Sequence, residues 1–589
     1  MNRGYSVSQA QDIDCFDVLK GRPLDIARGE STVELCNPRK LRVAILIDSF
    51  KQPVWVSRIT QEISESCFAE ISMIVKYEYS ENGSKRPKLG LIGLGNSLLW
   101  DIYSKLDNRS LCPYRDPFEK FDVRSNLGPN CELIQVAVSG DNGEARLERE
   151  DTAIIHSQGI DVILDLGNIR LNKSLRGLAR YGIWSGATSI NSLLRQGPPG
   201  FWEVMRNETT TEFTLKMAGS SNDSCKILYR SWTSTDLFSV KGNRSKVYWK
   251  SANAIVRALR NLHEWGPGAL EEKPSCSDVS LGQGPRNISP TNTQMVIFLA
   301  RMAVKRLRLR LRGHTRLDQW FLAYNLGDVQ ITEQSLDQLN YMEPPKGRFW
   351  ADPFPIERDG TYFIFLEEFV YEAMKAHISV IEMDSEGNWN PPVKVLERDY
   401  HLSYPFLFEW EGNLYMIPET KRNKTIELYR CVEFPMRWEF ETVLMDDVQA
   451  VDTTLHEKDG LWWLFSNIGG KDFASNDELH IFYSETPFGP WIPHKRNPVK
   501  SDVRSARPAG RLFYQNGDLF RPAQDCSERM GGAMCLNRVI SLTTEDFKEE
   551  VVTRIEPKWM KGLLGAHTFN TAGRLIMLDC FRYIPKSSG

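Results

Sequence analysis

Three carboxylates recur at matching distances from hairpin turns in the C-terminal half of this 589-residue chain. Asp352 and Asp452 each lie eight residues before a turn glycine, and Glu419 lies seven residues after one. Glu419 directly follows the apolar run "LYMIP", which reads as a buried strand and would not be expected to end on a charge. Carboxylates that meet in one pocket can hydrogen-bond a polyol, and they can exchange protons with it when their pKa values differ. We therefore take these three as candidates for one shared pocket that binds a polyol.

The turns themselves form a repeat. Each turn lies between two runs of alternating apolar residues, as in a β-hairpin. The five turns are Asp359-Gly360, Glu411-Gly412, Asp459-Gly460, Asn516-Gly517 and Ala572-Gly573. Successive turn glycines are 52, 48, 57 and 56 residues apart, which is the length of a four-stranded unit. The repeat predicts an all-β five-bladed propeller over residues 320–585.

Equivalent positions in the blades of a propeller converge on its central axis, so the repeat also predicts a pocket. Seven residues after the turn glycines stand Glu367, Glu419, Asn467, Gln524 and Cys580, and eight before them stand Asp352, Tyr404, Asp452, Ala509 and Gly565. Arginine and histidine side chains close by complete a set typical of a sugar site. The predicted substrate-binding residues are Glu367, His401, Tyr404, Arg507, Arg521, Gln524, Asp525 and His567. The alternative is that these polar groups only solvate a water-filled channel.

The N-terminal half alternates strand and helix patterns. Apolar runs begin near residues 41, 69, 133 and 159, and a helical pattern at 53–66 starts with a proline in its first turn. Short runs of Val, Ile and Leu between helical segments are typical of a parallel sheet. We expect a multidomain protein in which an open parallel α/β sheet occupies residues 40–265, after a flexible N-terminal extension at 1–39.

A basic segment separates the two halves. Residues 266–294 are rich in Gly, Pro, Ser and Asn and are expected to form a linker. An amphipathic helix is then predicted over 295–319, with seven Arg or Lys between Arg301 and Arg316. Residues 295–316 are suited to peripheral contact with an anionic membrane. The alternative is a helix that packs one domain against the other.

The composition limits the classes of partner and metal. A net charge of −3 and a pI near 6.4 give no reason to expect nucleic acid. The eleven cysteines form no C-x-x-C pair and no cluster at zinc spacing, so we expect no metal and reduced thiols. We find no secretory leader and no apolar window of spanning length, and expect a cytoplasmic protein with membrane association at most.

The motifs of the C-terminal half, taken in order, resemble a known family. They are "ADPF" (351–354), "HLSYPF" (401–406), "MIPET" (416–420), "VDTTL" (451–455), "ARPAG" (506–510), "RPAQDC" (521–526) and "GAHT" (565–568). Together they resemble the propeller domain of plant glucosamine inositolphosphorylceramide transferases, which is similar to family 43 glycoside hydrolases. The resemblance to the hydrolases implies a base role for Asp352, and makes Glu419 and Asp452 the candidates for acid and modulator. In the plant family transfer is assigned to another domain, which leaves open a propeller that only binds glycans.

The segment at 161–205 resembles the folate-dependent formyltransferases in the layout of its strands, helix and Gly-Pro-Pro-Gly turn. The resemblance places the Asn-x-His element of that superfamily at Ser185-Gly186-Ala187, and its aspartate at Asp223. Formyl transfer needs a proton acceptor and an oxyanion donor, and an alanine in the histidine's place supplies neither. We therefore expect a degenerate formyltransferase-like domain and no cofactor, with 10-formyltetrahydrofolate required only if that activity persists.

These observations favour a carbohydrate-active protein that processes or transfers glycans in the synthesis of a cell-surface glycan or glycolipid. The expected partner is a carbohydrate or glycolipid rather than nucleic acid. Two alternatives stay open: a formyltransferase acting on an amino sugar or its nucleotide, and a non-catalytic glycan-binding protein.

Overall fold

The computed structural model describes residues 39–79, 97–108, 115–138, 149–166, 177–188, 198–218, 225–270, 289–327, 336, 338–469 and 476–586. The chain divides into two compact units, with Thr32–Arg306 in one and Leu307–Gly589 in the other. Among the helices in these described ranges, none is both long enough and apolar enough to cross a bilayer.

The first unit is built on a seven-stranded sheet. Its strands, with a separate short pair β2 and β4, are β1 (Leu41–Ile47), β2 (Lys51–Pro53), β3 (Ala69–Tyr79), β4 (Lys120–Asp122), β5 (Glu132–Val138), β6 (Val162–Asp165), β7 (Ile183–Thr188), β8 (Thr210–Ala218) and β9 (Cys225–Ser234). The sheet order is β5-β3-β1-β6-β7-β8-β9. The pairs from β5 to β7 are parallel, whereas β7–β8 and β8–β9 are antiparallel. The predicted α/β fold is confirmed, and the expectation of a parallel sheet is corrected to a mixed, mostly parallel one.

Helices cover both faces of this sheet. In chain order the helices are α1 (Val54–Glu65), α2 (Leu98–Asn108), α3 (Arg149–Ser157), α4 (Phe201–Arg206), α5 (Val240–Trp265) and α6 (Asn292–Thr315). Helices α1 and α5 pack on one face of the sheet and α3 on the other, while α2, α4 and the first half of α6 share a separate cluster. Alternate residues of β1 therefore enter two different cores. Ile45 packs in the cluster that contains Ile59 of α1 and Leu259 of α5, while Leu46 packs in the cluster of Ile155 of α3. Burial on both faces explains why β1 is apolar at nearly every position.

The second unit contains five antiparallel sheets. Their strands are β10 (Arg316–Leu326), β11 (Asn340–Met342), β12 (Arg348–Arg358), β13 (Thr361–Val370), β14 (Lys375–Met383), β15 (Val393–Leu396), β16 (Ser403–Trp410), β17 (Asn413–Glu419), β18 (Ile426–Glu433), β19 (Arg437–Met445), β20 (Ala450–Lys458), β21 (Leu461–Ile468), β22 (Glu478–Ser484), β23 (Ile492–Pro493), β24 (Lys500–Ser501), β25 (Phe513–Gln515), β26 (Asp518–Asp525), β27 (Ala533–Leu542), β28 (Phe547–Ile555), β29 (Leu563–Gly565), β30 (Phe569–Ala572) and β31 (Leu575–Pro585). Four sheets use consecutive strands, β12–β15, β16–β19, β20–β24 and β25–β28. Each predicted turn joins two paired strands of a blade, so the five-bladed propeller is confirmed.

The fifth blade closes the ring by joining the two ends of the unit. Strand β10 pairs antiparallel with β31, from Arg316 opposite Pro585 to Leu326 opposite Leu575. Closure of this kind leaves the ring without open sheet edges between its first and last blades. The pairing also explains why the strand begins at Arg316, although the sequence predicts helix up to residue 319.

Candidate functional site

The first strands of three successive blades share a β-bulge. The register of β12, β16 and β20 shifts between Ala351 and Phe354, between Ser403 and Phe406, and between Val451 and Thr454. Within each bulge one residue has a positive φ: 51° at Asp352, 44° at Tyr404 and 51° at Asp452. A bulge redirects a side chain away from the ordinary alternation of a strand, and such backbone strain is frequent at functional sites.

A pocket opens beside these bulges. It encloses about 790 Å³ of empty space, its open mouth included. The residues that line it come from several blades: Trp320, Phe349, Ala351, Asp352, Glu367, His401, Ser403, Glu419, Lys421, Arg422, Val451, Arg507, Met530 and His567. The structure therefore brings together two of the three candidate catalytic residues and four of the predicted binding residues. Asp452 lies directly behind Arg507, to which it is hydrogen-bonded.

Asp352 belongs to a buried network with His567 and Asp579. His567 Nε2 lies 3.3 Å from Asp352 Oδ1, and its Nδ1 lies 2.6 Å from Asp579 Oδ2. Thr568 Oγ1 donates to Asp352 Oδ1 at 2.7 Å, and the backbone N–H of Tyr404 donates to Oδ2 at 3.1 Å. Burial lowers the pKa of His567, but the carboxylates of Asp579 and Asp352 outweigh burial and raise that pKa to about 9. His567 is therefore an imidazolium held between two acids.

Asp452 is held by a second network. Arg507 donates from Nε to Asp452 Oδ2 at 2.6 Å and from Nη2 to Oδ1 at 3.3 Å. Gln524 Nε2 donates to the same Oδ2 at 2.7 Å. Arg507 Nη2 also lies 3.8 Å from Glu419 Oε2. The guanidinium thus links the two carboxylates, and its own pKa is raised by Asp452 and Glu419 despite its burial.

Two carboxylates of the pocket, Glu419 and Asp352, have pKa values that are shifted upward. Burial raises the pKa of Glu419 to about 7, with a further upward contribution from Asp452 and an opposing one from Arg507. Burial also raises the pKa of Asp352 well above its usual range, and His567 opposes that shift. Glu419 can therefore both hold and release a proton near neutral pH, as an acid catalyst must.

Among the described residues, the buried pocket atoms without a hydrogen-bond partner include one on His401 and one on Glu367. His401 Nδ1 accepts from the backbone N–H of Ala376 at 3.3 Å, so that the other ring nitrogen, Nε2, faces Glu367 Oε1 at 3.3 Å. Neither His401 Nε2 nor Glu367 Oε1 forms a hydrogen bond. Unsatisfied buried polar groups call for an explanation, and a ligand hydroxyl in this pocket would satisfy both.

Four predicted binding residues do not line the pocket. The Tyr404 hydroxyl pairs with Thr454 Oγ1 at 2.8 Å, and Gln524 supports Asp452 from behind. Arg521 donates to Glu549 at 2.7 Å, and Asp525 accepts from Arg554 at 2.9 Å. All four side chains are buried and engaged inside the blades, so their polar atoms are committed to the fold.

The structure adds residues that the sequence analysis did not select. Asp579 is one position before Cys580, the residue that the repeat count marks, and the acid in "MLDC" was the available signal. Trp320 and Phe349 form an apolar wall, and the Trp320 ring lies 4.2 Å from the His567 ring between centroids. The aromatic residues carry no signal in the repeat, because they lie outside the two positions that were counted.

One cluster offers donors for a cation. Asp352, His567 and Asp579 each have a possible ligand atom, and these atoms lie within 4.8 Å of one another. Asp579 Oδ1, however, accepts from the backbone N–H groups of His567 at 2.9 Å and Thr568 at 3.0 Å. The oxygen atoms of the two acids are thus already engaged by hydrogen bonds and by the imidazolium of His567. These contacts explain why the three side chains lie together, and no metal ion is needed for that.

Of the residues that the formyltransferase resemblance selects, Ser185 and Ala187 lie on β7. Ser185 pairs with Lys216 of β8 and Ala187 with Thr214, while Asp223 lies outside the described residues. A smaller pocket of about 390 Å³ adjoins this strand. Its described lining contains one carboxylate but no histidine: Trp55, Asp165, Leu166, Gly186, Phe213, Tyr248, Ser251 and Ile255.

Comparison with known proteins gives a match over most of the propeller. Residues 331–573 match the family model described as "Glucosamine inositolphosphorylceramide transferase 1, N-terminal". The proteins named glucosamine inositolphosphorylceramide transferase 1 from Oryza sativa subsp. japonica and from Arabidopsis thaliana are 41% and 36% identical over 205 residues, which is 34% of this chain. The chain spans 27% of the length of either relative in these alignments. The resemblance to the propeller of this family is thereby confirmed for the C-terminal region.

Among solved structures, a β-xylosidase is similar with a TM-score of 0.30 and 13% sequence identity, covering 40% of this chain and 84% of its own. A thermostable family-43 glycoside hydrolase is similar with a TM-score of 0.29 and 12% identity, covering 37% of this chain and 82% of its own.

Proposed function

We propose that the propeller pocket binds the sugar part of a glycolipid and acts on it in glycosyl transfer or glycan processing. The single observation that carries this proposal is Glu419, a carboxyl in the pocket that is 14% exposed and has a pKa raised to about 7. It stands beside an Asp–Arg pair, and Asp352 lines the same pocket. The names of the similar plant proteins favour a glycolipid, since they combine a glucosamine with an inositolphosphorylceramide.

We assign distinct roles to the three carboxylates. Glu419 is the proton donor, because its proton is retained up to about neutral pH. Asp452 is a positioning residue that raises the pKa of Glu419 and fixes Arg507. Asp352 is the proton acceptor, because the hydrogen bonds from Thr568 and the backbone N–H of Tyr404, and the imidazolium of His567 at 3.3 Å, all favour its ionised form.

The remaining lining suits a sugar. Trp320 and Phe349 can contact the apolar face of a sugar ring, and His401 and Glu367 can hydrogen-bond its hydroxyls. Such a mixture of an aromatic wall with a few convergent polar groups is typical of small-molecule sites. Formyl transfer is the weaker alternative, since Ala187 occupies the position where the resemblance requires a histidine.

The test compares turnover with binding in carboxamide variants. The full chain is incubated with a panel of sugar nucleotides and inositolphosphorylceramide acceptors, and separately with glucosamine-containing glycolipids, and products are followed by mass spectrometry. Asp352→Asn and Glu419→Gln should still bind ligand, but should lose turnover by roughly 10²- to 10⁴-fold, the usual contribution of a general acid or base. Wild-type turnover should also decline as the pH rises through about 7, where Glu419 loses its proton.

Glu439→Gln is the matched control, because Glu439 is an exposed acid on β19 of the same blade as Glu419. It should leave turnover unchanged. Thermal melts verify that each variant is folded. Wild-type binding without any turnover would favour the non-catalytic glycan-binding protein, and a wild-type chain that binds none of the ligands would refute the proposal.

A further inference from the structure

Helix α6 presents an unpartnered apolar stripe along its exposed side. Val296, Leu307 and Leu311 are 57%, 58% and 56% exposed. With the exposed Ala300 and Ala303, they recur every three or four residues and therefore lie on one face of the helix. The buried residues of the helix lie at other positions, namely Met295, Phe298 and Met302. In the described part of the chain, the face that carries the apolar stripe is therefore exposed.

The other side of the first half of the helix is packed. Met295, Phe298 and Met302 are buried in a cluster that contains Tyr103 and Phe201 of the α/β unit. The Tyr103 and Phe298 rings meet edge to face at 5.0 Å, and those of Phe201 and Phe298 lie 5.3 Å apart. This packing fixes the rotation of the helix about its axis, and it directs the apolar stripe outward.

Arginines border the stripe on both sides. By helical spacing, Arg301 and Arg308 follow one border, and Arg306 and Arg310 follow the other. Arg301 and Arg306 donate to the backbone carbonyls of Met205 and Phe238, and among the described residues no carboxylate forms an ion pair with a basic side chain of this helix. The sequence has no acid from Val279 to Arg316, so the positive charge of this surface is not neutralised locally.

We propose that this face of α6 lies in the surface of an anionic membrane. The exposed apolar side chains would enter the boundary between headgroups and acyl chains, while the flanking guanidinium groups would contact lipid phosphates and carboxylates. The apolar stripe matches the boundary with the acyl chains, and the two rows of arginine match the anionic headgroups. The helix is too basic and too short in its apolar part to span the bilayer. This inference does not depend on the chemistry of the propeller pocket.

The experiment is flotation of the full chain with vesicles of phosphatidylcholine alone, or of phosphatidylcholine mixed with phosphatidylserine. The wild-type chain should float with the anionic vesicles at low salt and much less at high salt, because exposed charges are screened. The double variant Arg308→Ala/Arg310→Ala should bind anionic vesicles roughly 30-fold more weakly, at ~5-fold for each cation near the surface. Both arginines are exposed, so the variant should keep its fold.

A second variant tests the apolar stripe separately. Leu307→Ser/Leu311→Ser removes two exposed leucines and no charge, and it should also weaken flotation with anionic vesicles. The matched control is Arg437→Ala/Lys558→Ala, which removes two exposed cations elsewhere on the chain and should bind like the wild type. Equal binding to neutral and anionic vesicles, no flotation at all, or equal losses in the control and the arginine variant would each overturn the proposal. A wild-type chain that instead self-associates through this face would shift in size on dilution and fail to float.

Discussion

His567 stands between Asp352 and Asp579, and its charge links the stability of the propeller to pH. Its pKa is raised from an ordinary 6.5 to about 9, because the two acids stabilise the imidazolium more than burial disfavours it. The pKa of Asp579 is lowered by the same ion pair. A raised pKa in the folded state contributes stability that is complete below the unfolded pKa and disappears as the pH rises through the folded pKa.

We therefore expect the free energy of unfolding to fall between about pH 6.5 and 9, by an amount on the order of 3 kcal/mol. Urea midpoints measured across this range should show the decline in the wild type and not in His567→Gln. His456→Gln is the control, since burial lowers the pKa of His456 to about 4 and moves its effect to acidic pH. An identical decline in all three proteins would assign it to other groups.

At the scale of single residues, the repeat located the pocket but not every side chain in it. Asp352 and Glu419 were found because they occupy repeated positions of strands that meet at one pocket. Arg521 was selected from its place beside such a position, but its partner Glu549 lies on β28, two strands away in the same sheet. Proximity in sequence does not determine where a long side chain points, and the pairing of Arg521 with an acid 28 residues away depends on strand register.

At the scale of elements, the pairing of β10 with β31 closes the ring and should matter most for the stability of the propeller. Phe321 of β10 lies opposite Cys580 of β31 and is fully buried. Phe321→Ala should lower the free energy of unfolding of the propeller by ~3 to 5 kcal/mol, because it leaves a cavity where the first and last strands of the ring meet. Chemical denaturation followed by tryptophan fluorescence measures the loss.

Phe440 is a suitable control for that substitution, because it lies on β19 and is 50% exposed. Phe440→Ala should cost about 0.5 kcal/mol, as surface substitutions usually do. A similar cost for the two variants would mean that the β10–β31 junction contributes little to stability.

The sequence predicted the elements that depend on a local pattern of residues. It was less successful where pairing with a distant strand determines the bounds or direction of an element. The five hairpins were predictable because turn residues and alternating strands lie next to each other in the chain. The start of β10 at Arg316 was not, since residues 316–319 continue a helical pattern and become strand by pairing with β31. The antiparallel pair β8 and β9 was also missed as an edge of the parallel sheet, because apolar runs do not encode strand direction.

At the scale of the whole molecule, the boundary between the two compact units falls within α6, after Arg306. The composition of residues 266–294 predicts a linker, so trypsin should cleave there, at Lys273 or Arg286. The C-terminal fragment would then still carry Met295, Phe298 and Met302, which are buried in the core of the α/β unit. Cleavage should therefore yield two bands on a denaturing gel but a single species in native size-exclusion chromatography.

A pair of substitutions on α6 tests whether that packing is what holds the cleaved chain together. Phe298→Ser places a polar group in the cluster with Tyr103 and Phe201, and it should let the fragments separate after cleavage. Val296→Ser changes an exposed residue two positions away, and its fragments should remain together. If the wild-type fragments separate once the linker is cut, the first half of α6 contributes too little buried area to anchor the α/β unit. The linker alone would then connect the two halves, as the composition of residues 266–294 suggests.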